Sequence, residues 1–114
     1  MTKQSTFSVG ATFDAELYEP FEMGVVQWIR RFGDGDRPQL ASGFWHITPE
    51  QAPEPFDLVS EGDETIHILE GRLRVEVDGG QVHELGAGSV ASFNKGIHSR
   101  WTVLEPTVEF FVYS

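Results

Sequence analysis

The chain has 114 residues, the size of one domain, and its 18 Asp and Glu against 8 Lys and Arg give a formal net charge of -10. That charge argues against nucleic acid, whose phosphates require clustered Lys and Arg, and equally against an anionic membrane surface. The absence of cysteine removes disulfides, thiolate zinc sites, iron–sulfur clusters and thiol nucleophiles together.

Residues 1–6 are polar with no apolar stretch behind them, and no run approaches the length of a membrane span, so the expected location is cytoplasmic. Residues 1–24 read as an irregular N-terminal arm with one edge strand and room for a single helical turn within 14–23; the domain proper is expected over 25–114. Residues 25–32 (VVQWIRRF) are β-branched and aromatic, which suits a strand. The loop over 33–38 holds two Gly, two Asp and a Pro and cannot keep a ladder. Residues 40–48 are expected as a strand with Phe44 and Trp45 on opposite faces. Three prolines within 49–55 break the pattern. A short strand follows over 56–60, then a turn at Glu61-Gly62-Asp63 and a strand over 64–70 ended by Gly71.

Leu73, Val75 and Val77 alternate with Arg72, Arg74 and Glu76, the period of a strand with one buried face. Asp78-Gly79-Gly80 is a hairpin turn, because Asp-Gly supplies the positive φ that such a turn needs. Strands are expected over 82–85 and 89–93, separated by Gly86-Ala87-Gly88. After Asn94-Lys95-Gly96 come strands over 98–104 and 108–113, separated by Glu105-Pro106. No segment carries a sustained 3.6-residue period, so the fold class is all-β, a sandwich or barrel. No P-loop, nucleophile elbow or dinucleotide fingerprint is present. Asp34-Gly35-Asp36 lacks the further oxygen ligands of a calcium loop and reads as a polar turn.

The stretch from Glu64 to Gly71, the hairpin after it, and the run from Gly88 to Trp101 together resemble the cupin superfamily. Its first motif is G-x5-H-x-H-x3,4-E-x6-G and its second G-x5-P-x-G-x2-H-x3-N. Glu64 and Gly71 match the E-x6-G half of the first; Gly88 and Gly96 match the glycines of the second. The resemblance covers residues 40–114 and implies a single jelly-roll-like β-barrel of two antiparallel sheets. Gly43-Phe44-Trp45 leading to Thr48-Pro49, and Arg100-Trp101-Thr102-Val103 near Glu105-Pro106, are similar to the small single-domain branch that includes the ethanolamine-utilisation cupin and ureidoglycine aminohydrolase domains.

The departures from the motifs concern the metal. Cupins hold it with two His and a Glu from the first motif and a His from the second. Here the first pair of slots falls on Asp57 and Val59, or on Leu58 and Ser60 with the shorter gap, and the last falls on Ser99. Glu64 alone survives. His98 is one position off its slot and His67 is of opposite parity to Glu64, so both are expected to face away. His46 and His83 read as polar residues on strands. No cofactor is therefore expected; a divalent metal, if bound, would rest on Glu64 with His98 or His67.

Glu64 has two readings: a turn residue facing solvent, or an inward carboxyl whose desolvation fits it for acid–base work. Ser99 and Trp101 share a face, and with Trp45 and Glu64 they make the expected ligand-binding group; the tryptophans also suit plain core filling. Arg72 and Arg74 read as a solvated or dimer-facing surface rather than an anion site. Three functions remain open. One is a metal-independent cupin binding a small polar metabolite. Another is an isomerase, lyase or aminohydrolase using Glu64 as its catalytic acid or base. The third is a filled barrel that serves structure or interaction. The edge strands beside the arm suggest a homodimer.

Overall fold

The computed structural model describes residues 7–114, and the first six residues of the expected arm lie outside that range. Apart from one 3-10 turn, Ala15–Leu17, the elements are strands: β1 Glu19–Pro20, β2 Val25–Arg30, β3 Ala41–Ile47, β4 Phe56–Val59, β5 Glu64–Val77, β6 Gln81–Gly86, β7 Val90–Phe93 and β8 His98–Tyr113. All pairings are antiparallel. No helix among the described residues is long and apolar enough to cross a membrane.

Two long strands organise the molecule. The first part of β5 pairs with β7 and with the end of β8, whereas its second part pairs with β6 and with the start of β8. β8 likewise meets β3 through residues 107–113 and β4 through residues 98–101. One sheet thus runs β1-β2-β3-β8-β5-β7 and the other β4-β8-β5-β6, with β5 and β8 common to both. Strands that pass between packed sheets turn the corner at bulges. The β5–β8 register shifts at Ile68/Glu70, Glu70/Arg72 and Arg72/Leu73. This is the two-sheet cupin architecture that the motifs imply.

The corner corrects two expectations. Gly71 does not end a strand, and Glu105-Pro106 does not separate two; each lies inside a single bent strand. The physical reason is that a bulge bends the chain and adds a residue while the ladder resumes beyond it. Gly71 sits at φ +93°. Beside it the Thr107 hydroxyl donates to the Glu105 carbonyl at 2.8 Å and accepts the Arg72 N–H at 3.2 Å, clasping the two bends together. The bulge also flips the inward parity of β5: Glu64, Ile66 and Ile68 are buried before it, Leu73 and Val75 after it.

The interior is formed by Val26, Trp45, Ile47, Ile66, Ile68, Leu73, Val75, Phe93, Trp101, Val103 and Phe111. Arg72 and Arg74 are exposed and pair with Glu105 at 3.3 Å and Glu84 at 3.6 Å, so they are surface ion pairs rather than an anion site. The hairpin turn has the expected backbone, with Asp78 at φ +52° and Gly79 at +71°. The arm is tied to β2 by buried Gln27, whose amide donates to the Ala11 carbonyl and whose carbonyl accepts the Asp14 N–H.

Candidate functional site

A cavity of about 950 Å³ opens between the sheets, walled by Trp45 of β3, Phe56 of β4, Glu64 of β5, and Ser99, Trp101, Glu109, Phe111 and Tyr113 of β8. The four residues singled out from sequence, Trp45, Glu64, Ser99 and Trp101, all line it. They meet because β8 crosses the cavity with odd-numbered residues inward, while the first part of β5 turns its even-numbered residues to the same space.

Glu64 faces inward, not solvent, and is 8 % exposed. Burial raises its carboxyl from an ordinary 4.5 to about 7, partly offset by the hydrogen bond that the Tyr113 hydroxyl donates to it. Burial and the neighbouring Glu64 carboxylate together push the Tyr113 phenol well above its ordinary range. Glu109 is more deeply enclosed, at 3 % exposure. Its carboxyl is raised well above the usual range by burial and then by the charge of Glu64. Its Oε1 has no hydrogen-bond partner.

The aromatic residues are already committed. The Trp45 indole donates to the Met23 carbonyl at 2.7 Å, and the Trp101 indole donates to the Ser99 hydroxyl at 2.8 Å. Trp101 stacks against Phe93 and Phe56, with centroids 5.6 and 6.3 Å away, and meets Trp45 edge-on at 6.1 Å. The Trp101 indole is thus satisfied, while the Ser99 hydroxyl keeps its proton to donate and joins the carboxyls of Glu64 and Glu109 as the hydrogen-bonding groups along the cavity wall.

The histidines lie elsewhere. His98 is exposed on the outer face of β8, 3.6 Å from Asp57. His67 is half-buried on the face of β5 opposite Glu64. His46 stands within hydrogen-bond distance of Tyr18 and Thr12 of the arm, and burial lowers its pKa. His83 is exposed on β6. Register resolves the two slot alignments: Phe56 and Leu58 pair with inward Trp101 and Ser99, while Asp57 and Val59 pair with outward Arg100 and His98. Leu58 of the shorter-gap pair thus shares the inward face with Ser99, while Asp57, Val59 and Ser60 also border the cavity, and none of the four is an imidazole. Among the described residues, no three His, Asp or Glu side chains converge as a metal site.

Sequence reasoning missed Glu109, Tyr113, Phe111 and Phe56. The available signal was parity: Glu109, Phe111 and Tyr113 share one face of an otherwise apolar strand, and a carboxyl in that company lies inside.

The family described as EutQ-like cupin domain matches residues 35–110. Among curated proteins nothing matches. A DUF861 family protein from Thermotoga maritima is 30% identical over 62% of this chain and 76% of its own, with a TM-score of 0.56. A structure described as ethanolamine utilization protein Q from Salmonella typhimurium LT2 covers 99% of this chain and 96% of its own at 20% identity, with a TM-score of 0.69. The hydroxypropylphosphonic acid epoxidase of S. wedmorenis matches 82% of this chain but 51% of its own, at 14% identity and a TM-score of 0.67. The last two likenesses concern the fold alone.

Proposed function

Because the chain belongs to the EutQ-like cupin domain family, we propose that it binds a small molecule inside the barrel, with the ligand's polar end at Glu64 and its apolar body against Trp45 and Phe56. The observation that carries this reading is the cavity of about 950 Å³ with a buried carboxyl in an aromatic wall. Ligand sites are concave, mostly apolar and furnished with a few polar groups, and this volume lies at the upper end of their usual range. A barrel packed solid leaves no such space. Binding is expected to quench the tryptophan fluorescence that Trp45 and Trp101 report from the wall, and Glu64→Gln to weaken it by about 1–3 kcal/mol, the range for a charged hydrogen bond. Equal affinity in wild type and Glu64→Gln would refute the role given to Glu64.

The proposal includes no imidazole-held metal. The donors at the slots do not fit one: Leu58, Ser60 and Ser99 replace the histidines, and the Ser99 hydroxyl already accepts an indole N–H. Protein purified without chelators is expected to carry well under one equivalent of Mn, Fe, Ni, Cu or Zn by elemental analysis. A stoichiometric metal held by Glu64 and any two histidines would overturn this.

A second reading has its own support. Glu64, raised to about 7, and Glu109, raised well above the ordinary carboxyl range, are two buried carboxyls that feel each other's charge, a setting that enzymes use to tune acid–base groups. An isomerase, lyase or aminohydrolase would show a pH–rate profile that moves with Glu64; a binding protein has none. The exposed Phe7, Val9 and Phe13 of the arm, together with the open edge of the sheet at β1, support a homodimer as the working assembly.

A further inference from the structure

We infer that the ligand is a cation, an ammonium group on a small and largely apolar skeleton, held between the carboxyls of Glu64 and Glu109, with Glu109 selecting for charge. The inference rests on the reading that the barrel cavity binds a small molecule, and adds to it the ligand's chemical class and a second anchoring residue.

Glu109 is the starting point. It is 3 % exposed, it lines the cavity, and its Oε1 is unpartnered. A buried carboxyl oxygen without a donor is costly, and nearly all such groups in folded proteins have a partner. On the wall the Tyr113 hydroxyl serves Glu64 and the indole N–H groups serve Met23 and Ser99, and the Ser99 hydroxyl, which keeps a proton to donate, makes no bond to this oxygen. Oε1 itself is shut off from the cavity, but the Glu109 side chain lines it, so a donor on what fills the cavity can serve this carboxyl. An ammonium group brings three donors and no acceptor, enough to serve both carboxyls at once.

Charge points the same way. The Glu64 and Glu109 carboxyls repel each other in a water-poor space, so they cannot both ionise unless a cation lies near both. A neutral hydroxyl would serve one carboxyl but leave that repulsion intact. The cavity lining further out carries Glu22, Asp57, Glu61 and Asp63, and among its described residues Lys95 is the basic one. That field draws cations in and turns carboxylates and phosphates away. Trp45, Phe56 and Phe111 add ring surface for the apolar skeleton.

Binding then has a proton signature. The groups facing Glu64 are Glu109 and Tyr113 from β8; Glu22, before β2, acts on Tyr113; β3 and β7 contribute Trp45 and Phe93, which do not titrate. An ammonium replaces the proton that the carboxyl pair holds near neutrality, so a proton leaves to solvent and affinity rises with pH. A neutral ligand shows no such gain.

The test is titration calorimetry of the full chain with three probes on one skeleton, benzylamine, benzyl alcohol and benzoate, at pH 6 and pH 8. At pH 8 the amine is expected to bind about tenfold or more tighter than the alcohol, with benzoate weaker still, and at pH 6 the amine's advantage is expected to shrink several-fold. Glu109→Gln is expected to bring amine and alcohol to within about threefold of each other while the alcohol's own affinity changes little. Its fold is checked by its melting transition, and the wild-type pH comparison needs no variant. Alcohol or benzoate binding as tightly as the amine in wild type overturns the cation while leaving the cavity reading intact. So does an amine preference that folded Glu109→Gln retains. Binding of none of the three, with no change in tryptophan emission, overturns both.

Discussion

Gly71→Ala is expected to destabilise the protein by about 3 kcal/mol or more, among the largest losses for any single methyl group added here. Two costs add. At φ +93° an L side chain is strained whatever the space around it, which accounts for about 1–2 kcal/mol. The added Cβ would also lie 2.2 Å from the Pro106 carbonyl oxygen and 2.7 Å from the Thr107 Cα, backbone atoms that cannot move without opening the corner between the sheets. Gly79→Ala is the control. Its φ is +71°, but an added Cβ meets nothing within 4 Å, so it bears the first cost without the second. Urea or thermal unfolding of the two variants measures the difference, and equal losses would show that the β5–β8 corner is softer than its geometry implies. Because β5 and β8 both wall the cavity, Gly71→Ala is also expected to impair binding in whatever fraction remains folded.

Stability is expected to fall as pH rises from about 4.5 to above 7, by roughly 3 kcal/mol from Glu64 alone. Below 4.5 the carboxyl is protonated whether the chain is folded or not, and its contribution is fully present. Between the two values the folded protein keeps a proton that the unfolded chain has lost. Above about 7 the folded protein loses it too, and the desolvated charge must be borne. Glu109, also raised by burial, acts in the same sense. His46 acts in the opposite sense, since its lowered pKa favours the folded state as pH rises through the ordinary histidine range. Melting curves from pH 4 to pH 9 measure the sum. Glu64→Gln is expected to flatten the slope and to melt above wild type at pH 8, while still accepting the Tyr113 hydroxyl. An unchanged slope in that variant would mean Glu64 is ionised in the folded state throughout.

The same carboxyls link stability to the proposed function. A site that holds two buried carboxyls without a compensating cation gives up stability near neutrality. Ligand that neutralises them returns it, so the protein is expected to be stabilised most by ligand at the pH where it is weakest alone.

Much of this molecule is legible in its sequence alone. The alternation around Leu73 and Val75 marked a half-buried strand because side chains on a strand change faces at every residue. Asp78-Gly79 marked its turn because few residues tolerate positive φ. Glu64, Ser99, Trp101 and Trp45 came together on parity and motif position, both local properties of the chain. Only the tertiary structure decided the rest. Gly71 and Glu105-Pro106 look like strand ends because punctuation is all that a linear pattern reveals; that they are bends in continuous strands depends on the opposite strand clasping them through Thr107. Glu109 looks like one charge in an apolar run until β5 brings Glu64 beside its strand. The physical reason is common to both cases. Composition and period set which way each residue faces its own strand, whereas proton affinity, unpartnered oxygen and cavity depend on what distant strands place opposite it, and that is a property of pairing across the sheet.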